Sequence, residues 1–224
     1  MDESGAIVRQ TEAFVHERLA AEPGAVATGH DWWHTDRVRR TALRIAAGEG
    51  AGANPVVVEL AALLHDVADW KFRGGDEAAG PREAAAWLRS LGLDAATTAR
   101  VAAVIAEVSY KGAGVATPVS TPEAAAVQDA DRLDALGAIG IGRAFAYGGA
   151  KGRPLHDPGI PPTLHASFGA YQVTTASTLN HFSEKLLLLK DRMQTATGRR
   201  LAEERHRYVE GFVARFLAEW AGEA

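Results

Sequence analysis

Apolar residues recur along this chain at the three- and four-residue spacing of helices, and no stretch sustains the period-two alternation of a half-buried strand. Residues 5–20 place Ile7, Val8, Phe14, Val15 and Leu19 on that spacing, and residues 33–47 place Val38, Ala42 and Ile45 on it. Helix-start signals punctuate the middle of the chain. Asn54 before Pro55 opens a helix expected to run toward Ala68. Pro81 opens another through Leu91, which Gly92 can end. Asp94 can cap a third, toward Val108, and Ser120-Thr121-Pro122-Glu123 opens a fourth that continues to Gly137. "IGIGRAFAYGGA" reads as a helix with frayed ends. Residues 171–193 and 199–221 read as two long amphipathic helices, and "VATPVS" is a candidate short strand. Residues 148–165 hold four Pro and four Gly and form the longest loop.

No internal repeat and no linker composition interrupts this pattern. The simplest expectation is a single all-α domain over residues 1–224, with a core at about 28–137 and a C-terminal helical extension at about 165–222. A long loop inside a compact domain is often functional, which draws interest to 148–165.

Composition narrows the chemistry. The chain has 224 residues, 47% hydrophobic and 23% charged, which is ordinary for a globular protein with a substantial core. A net charge of -4 and a pI near 6.1 argue against a dedicated nucleic-acid binder. There is no cysteine, so disulfides, thiolate catalysis, iron–sulfur clusters and cysteine-based zinc sites are excluded. The N-terminus "MDESGAIVRQ" is acidic and lacks a long apolar segment, so no signal peptide is expected. "VVVELAALLHDVA" is too short and too charged at its end to span a bilayer. A cytoplasmic protein is expected.

The stretch "LLHDVADWKF" (63–72) is where this composition becomes informative. Positions 57, 60, 61, 64 and 68 form an apolar helix face, yet His65, Asp66 and Asp69 crowd one side of its C-terminal end. Carboxylates at the negative end of a helix dipole repel one another unless a cation compensates. That cation is a metal ion, or Lys71 or an arginine. A second carboxylate group, Asp129, Asp131 and Asp134, lies in "VQDADRLDALG", where the bland reading is a solvated acidic face shared with Arg132. Most of the eight histidines are expected to be ordinary surface or hydrogen-bonded residues; His34 and His65 differ in their company. His34, His65, Asp66 and Asp131 together make two imidazoles and two carboxylates. Such a set suits one divalent ion per chain (Mn²⁺, Fe²⁺, Co²⁺, Mg²⁺, Ni²⁺ or Zn²⁺) and leaves positions open for a water and a substrate oxygen.

On these residues the chain resembles the HD-domain metal-dependent phosphohydrolases. His34, the His65–Asp66 pair and Asp131 match that superfamily's H…HD…D signature, with spacings of 31 (34 to 65) and 65 (66 to 131) residues. The surrounding text carries the specificity: "GHDWWHTDRV", "AALLHDVADWKF", "VQDADRLDALGAIGIGR", and the C-terminal stretch from "HFSEKLLLLK" to "FLAEW". It is similar to a bacterial branch that includes nucleotide pyrophosphohydrolases, over roughly residues 28–220. The resemblance implies an HD-type helical bundle with a long Gly/Pro-rich loop and two long C-terminal helices. It also selects His34 over His30 as first ligand, and Asp131 over Asp129 and Asp134 as last.

Proximity to the proposed ligands suggests further roles. Lys71, Arg37, Lys111 and Lys185 are candidate substrate contacts, because a phosphate needs cations beside the metal. Lys185 is equally a lysine that snorkels from an apolar stripe. Asp69 is the candidate general acid or base, with Lys71 beside it in the catalytic group, or else a support for His65 and Lys71. Trp70 and Tyr110 could offer ring faces to a base. Tyr147, Lys151, Arg153 and His156 make the long loop basic and mobile in composition, able to close over phosphate or to contact another copy.

The expected activity is hydrolysis of a phosphate ester or anhydride by a metal-bound hydroxide, most concretely of a nucleoside triphosphate to monophosphate and pyrophosphate. The alternatives are a phosphomonoesterase or cyclic-nucleotide phosphodiesterase, a non-catalytic nucleotide-binding regulator, and a diiron oxygenase, for which no second metal site can be placed. The expected partner is a phosphorylated small molecule, a nucleotide. Neither a membrane nor stable nucleic-acid binding is expected, and a homodimer is left open.

Overall fold

Burial decides which helices organise the molecule, and the most apolar one lies deepest. The computed structural model describes residues 3–22, 24, 26, 29–50, 52–68, 75–164, 167 and 176–224. The chain divides into two compact units, Met1–Ser109 with Thr117–Asp131, and Tyr110–Ala116 with Arg132–Ala224. The helices of the first unit are α1 (Glu3–Ala21), α2 (Trp32–Gly48), α3 (Pro55–Leu64), α4 (Ala79–Ser90) and α5 (Ala95–Val108). The helix α6 (Pro122–Asp134) runs out of its end. The second unit holds α7 (Gly137–Ala150), α8 (Asn180–Glu184) and α9 (Ala196–Trp220). Among the described residues there is no strand, and no helix is long and apolar enough to cross a membrane.

The rod at the centre of the first unit is α3. Val57, Val58 and Leu60 through Leu64 are all buried, and only Glu59, paired with Arg39 at 3.3 Å, interrupts its apolar surface. Packed against it are α1, α2 and α5, and α4 pairs with α5. Its start shows the expected chemistry: the Asn54 side chain accepts from the Val56 and Val57 N–H groups, and Pro55 occupies the first turn. Asp94 caps α5 through Thr97 N–H, and Thr121 caps α6 through Ala124 N–H. Behind α4, Gly92 takes a left-handed φ of 79° while Leu93 N–H reaches back to the Leu88 carbonyl, a Schellman-type stop.

One buried carboxylate ties three of these helices together. Glu123, in the first turn of α6, accepts the Asn54 N–H at 2.9 Å and the Arg100 guanidinium of α5. Burial pushes its carboxyl up, but the Asn54 N–H, its own backbone N–H and Arg100 more than offset this and hold it below the usual value of 4.5.

Three expectations change. The helix expected to reach Ala68 ends at Leu64, with His65 as its C-cap and 65–68 a turn. The His65 ring takes the Ala62 carbonyl, one of the last-turn acceptors a helix end leaves over, and so competes with continuation. "VATPVS" is irregular; its backbone is served by side chains instead of a strand partner, Gln128 donating to the Thr117 carbonyl and Glu107 accepting from Ser120 N–H. Of the helix expected over 171–193, residues 171–175 lie outside the described residues. The remainder is α8, then 3-10 turns at Leu186–Leu188 and Lys190–Arg192. The break at Lys185 lets Arg192 turn its guanidinium onto the carbonyls of Gly112, Ala113 and Val115.

In the second unit α7 packs on α9 through an aromatic cluster, with Phe145, Phe182, Phe212 and Phe216 ring centroids 5.8–6.0 Å apart. The long loop is pinned to it. Pro154 and Leu155 carbonyls accept Thr178 and Leu179 N–H groups at 2.9 Å, buried Asn180 donates to the Ile160 carbonyl at 2.7 Å, and buried Glu184 accepts Thr163 N–H at 2.9 Å. The loop expected to be mobile is therefore part of its unit's fold through residue 164.

Two substitutions test these ties. Glu123→Gln should lower stability by about 1–3 kcal/mol, because it removes the charge that Arg100 and the Asn54 N–H share. Since the folded pKa of Glu123 lies below its unfolded value, its contribution is complete above about pH 4.5 and fades as pH falls through the folded value. Wild type should thus lose stability below pH 4.5 more steeply than Glu123→Gln, as read by denaturant unfolding across pH. Asn180→Ala should cost about 1 kcal/mol and hasten proteolytic cleavage within 151–164; unchanged cleavage would show that the loop needs no such anchor.

Candidate metal centre

Four local devices bring donor atoms together in the first unit. At the start of α2, the Asp31 side chain accepts the His34 N–H at 2.9 Å, and this cap sets the first turn so that His34 enters the core fully buried. His65 closes α3, with Nδ1 2.8 Å from the Ala62 carbonyl. A carbonyl can only accept, so Nδ1 carries a proton and Nε2 is the ring nitrogen turned toward the other donors. Asp66 comes next in the turn, and Asp131 comes from the last turn of α6.

The four donor atoms converge. His34 Nε2 lies 3.3 Å from His65 Nε2, 3.2 Å from Asp66 Oδ2 and 3.5 Å from Asp131 Oδ1. His65 Nε2 lies 3.5 Å from Asp66 Oδ2 and 3.9 Å from Asp131 Oδ1. Ligands about 2.1 Å from one divalent ion sit about 3.0 Å apart along an octahedral edge and about 3.4 Å apart along a tetrahedral one. The spacing fits, and His34, His65 and Asp66 form a group that could hold a metal ion.

Electrostatics favour the same reading. The Asp66 side chain is only 9% exposed, and its Oδ2 has no hydrogen-bond partner of sound geometry. Burial pushes its carboxyl up, but His65 first, then His30 and His34, pull it well below the usual carboxylate range. An ionised, poorly served carboxylate in a buried cluster is an acceptor awaiting a cation. Asp131, 28% exposed, is the most solvent-accessible of the four side chains.

The other candidates fall in different places. Asp134 pairs with Arg143 at 3.0 Å in the second unit, and Asp129 is fully buried on α6. His30 sits just before the Asp31 cap, its ring 5.7 Å from that of His34. Arg37 is half-buried on α2, one turn beyond His34. Lys111 and Lys185 belong to the second unit, where the Lys185 ammonium lies 5.0 Å over the ring of Tyr110, the residue before Lys111. Asp69, Trp70 and Lys71 lie outside the described residues. In the loop, Lys151 and Arg153 stand over the Tyr147 ring at 5.7 and 5.6 Å, and His156 packs its edge on Trp220. The roles of Asp31 as cap and of Ala62 as the His65 acceptor were missed in the sequence. Asp31 three residues before His34 is a readable capping signal, whereas the Ala62 carbonyl leaves no trace in residue identity.

Comparison with known proteins places this geometry. Residues 32–136 match the HD domain family. YpgQ of Bacillus subtilis is 40% identical over 188 residues, spanning 84% of this chain and 82% of that protein. The crystal structure of YpgQ in complex with ADP superposes with a TM-score of 0.70 at 33% identity, over 95% of this chain and 96% of that chain. An HD-superfamily hydrolase from Bacillus thuringiensis superposes with a TM-score of 0.74 at 41% identity, over 97% and 98%. A Lactobacillus plantarum protein of known structure superposes with a TM-score of 0.84 at 34% identity, also over 97% and 98%. The chain belongs to the HD superfamily, and its class is that of the metal-dependent phosphohydrolases.

Metal should stabilise the fold through these donors. Chelator-treated protein titrated with Mn²⁺ should melt at rising temperature, by the equivalent of about 2.7 kcal/mol when the ion reaches a hundred times its dissociation constant. Asp66→Asn should abolish most of the gain; an equal gain in the variant would place the ion elsewhere.

Proposed function

We propose that this chain is a nucleotide pyrophosphohydrolase that cleaves nucleoside triphosphates to monophosphate and pyrophosphate. The observation that carries the reading is the convergence of Asp66 Oδ2 and Asp131 Oδ1 on the paired Nε2 atoms of His34 and His65, each within 3.9 Å of both. The ADP complex of YpgQ supports a nucleotide over other phosphorylated molecules.

In this reading His34, His65, Asp66 and Asp131 hold one divalent ion. The ion, when bound, supplies Lewis acidity toward phosphoryl oxygen and lowers the pKa of a water. The protein supplies the rest. His65 is kept in its Nε2-presenting tautomer by the Ala62 carbonyl. Asp66, beside both rings, supplies the negative charge that the ion's charge answers. Arg37, one turn from His34, is a phosphate contact, as is Lys71, while Lys111 and Lys185 are the cations the second unit would offer a phosphate. Asp69 is the proton-transfer group of this proposal, with Lys71 beside it.

The test is a nucleoside triphosphate panel with Mn²⁺, Co²⁺ and Mg²⁺, scored separately for pyrophosphate and orthophosphate. Pyrophosphate should appear, and Asp66→Ala should lower kcat/KM by about a hundredfold or more, since even groups one shell removed from a metal cost about 10–100-fold. Orthophosphate as first product would favour a phosphomonoesterase. Undiminished turnover by Asp66→Ala would remove the metal centre from the mechanism.

A further inference from the structure

Two adjacent tryptophans at the start of α2 are treated in opposite ways. Trp32 packs its edge against His16 of α1, ring centroids 5.4 Å apart. Trp33 is 63% exposed, and among the described residues no hydrogen bond or ring contact engages it. A lone exposed apolar residue is common and by itself means little. What distinguishes Trp33 is its place. The next residue, His34, is fully buried and contributes Nε2 to the donor set. Consecutive helical residues are about 100° apart, so position 37 projects between positions 33 and 34 when viewed down the axis. Half-buried Arg37 thus separates the exposed indole from the buried imidazole, and Arg40 and Arg44 continue the exposed face. Helical side chains lean toward the helix N-terminus, so the indole and the His34 ring lean toward the same end of α2.

A flat aromatic face, a guanidinium and a cluster of metal-type donors therefore succeed one another around the start of α2. The Asp66 oxygen without a sound hydrogen bond independently marks the inner end of this series as a ligand site. Base, sugar-linked phosphate and metal-held phosphate occur in the same order in a nucleotide. We infer that Trp33 is the stacking platform for the nucleobase of the substrate, with Arg37 contacting phosphate between it and the donor set. The inference rests on the nucleotide reading above and sharpens it. Stacking accepts every base because every base has a π-face. Trp33 therefore selects nucleosides over inorganic polyphosphates and discriminates weakly among bases.

The experiment compares wild type, Trp33→Ala and Trp33→Phe on four nucleoside triphosphates and on inorganic tripolyphosphate, all with Mn²⁺. Because Trp33 is exposed, the variants should melt at the wild-type temperature. The expected result is that Trp33→Ala lowers the ratio of kcat/KM for nucleotide to that for tripolyphosphate by about tenfold or more, through KM. Trp33→Phe should restore most of the ratio, and the loss should be similar for all four bases. An unchanged ratio, or a loss confined to one base, overturns the inference. Calorimetric titration with a non-hydrolysable α,β-methylene nucleotide separates this from failure of the hydrolytic reading. Weaker binding by Trp33→Ala supports the platform even if wild type turns over nothing. Equal binding, or none by wild type, rejects it.

Discussion

Two carboxylate oxygens held within 3.9 Å of the same pair of imidazole nitrogens are the constraint on which the first unit turns. Two carboxylates beside the same imidazole nitrogens repel on the order of a few kcal/mol in partly buried surroundings. Holding such donors together needs carriers that are rigid. Each carrier is. The Asp31 cap fixes His34, and Asp131 rides a helix whose preceding residues, Glu123 to Ala130, are all buried. His65 and Asp66 leave the end of α3, which is clasped by α1, α2 and α5. The most apolar helix of the chain is thus the support for its most polar cluster. Packing energy spread over seven buried side chains of α3 is what keeps the donors converged.

The unit contains a second buried carboxylate, and the contrast is instructive. Glu123 receives a backbone N–H and a guanidinium, so the protein itself completes its coordination. Asp66 is sealed nearly as well, yet its Oδ2 finds only imidazole nitrogens, at 3.2 and 3.5 Å. Both carboxyls sit below their usual pKa, for different reasons: hydrogen-bond donors and Arg100 act on the first, the His65, His30 and His34 rings on the second. A buried carboxylate with its donors built in is structural. One lacking them marks a place where something from solution finishes the shell.

The same contrast separates what residue identity reveals from what it hides. His34, His65, Asp66 and Asp131 were legible because their chemistry demands particular residue types, and the caps Asn54-Pro55, Asp94 and Thr121-Pro122 because each acts within three residues. The end of α3 was not legible, since Val67 and Ala68 continue the apolar pattern while the competing Ala62 carbonyl is backbone. Nor was the break-up of 176–193. Leucines at 186–189 satisfy any helical period, and the choice of 3-10 turns goes with Arg192 collecting carbonyls some eighty residues away in sequence. The exposure of Trp33 beside half-buried Trp32 is likewise a tertiary fact. Asp69 and Lys71, which the motif favours, lie outside the described residues.

The long loop shows how composition alone misleads about motion. Its prolines and glycines do exclude helix, but they are silent about Asn180 and Glu184, which lie beyond it and hold it. Four hydrogen bonds fasten 154–163, two of them from buried side chains. At about 0.5–1.5 kcal/mol net apiece, releasing all four costs about 2–6 kcal/mol. Exposed Leu155, Ile160 and Leu164 add little, because they lose scant burial when the segment lifts. The freed conformer would then hold between about 3 per cent and about 4 in a hundred thousand of the molecules. A ligand that needed it would bind more weakly by that same fraction. Closure over a phosphate is therefore an expensive use for this segment, and a fixed wall of the second unit is the role its bonds support.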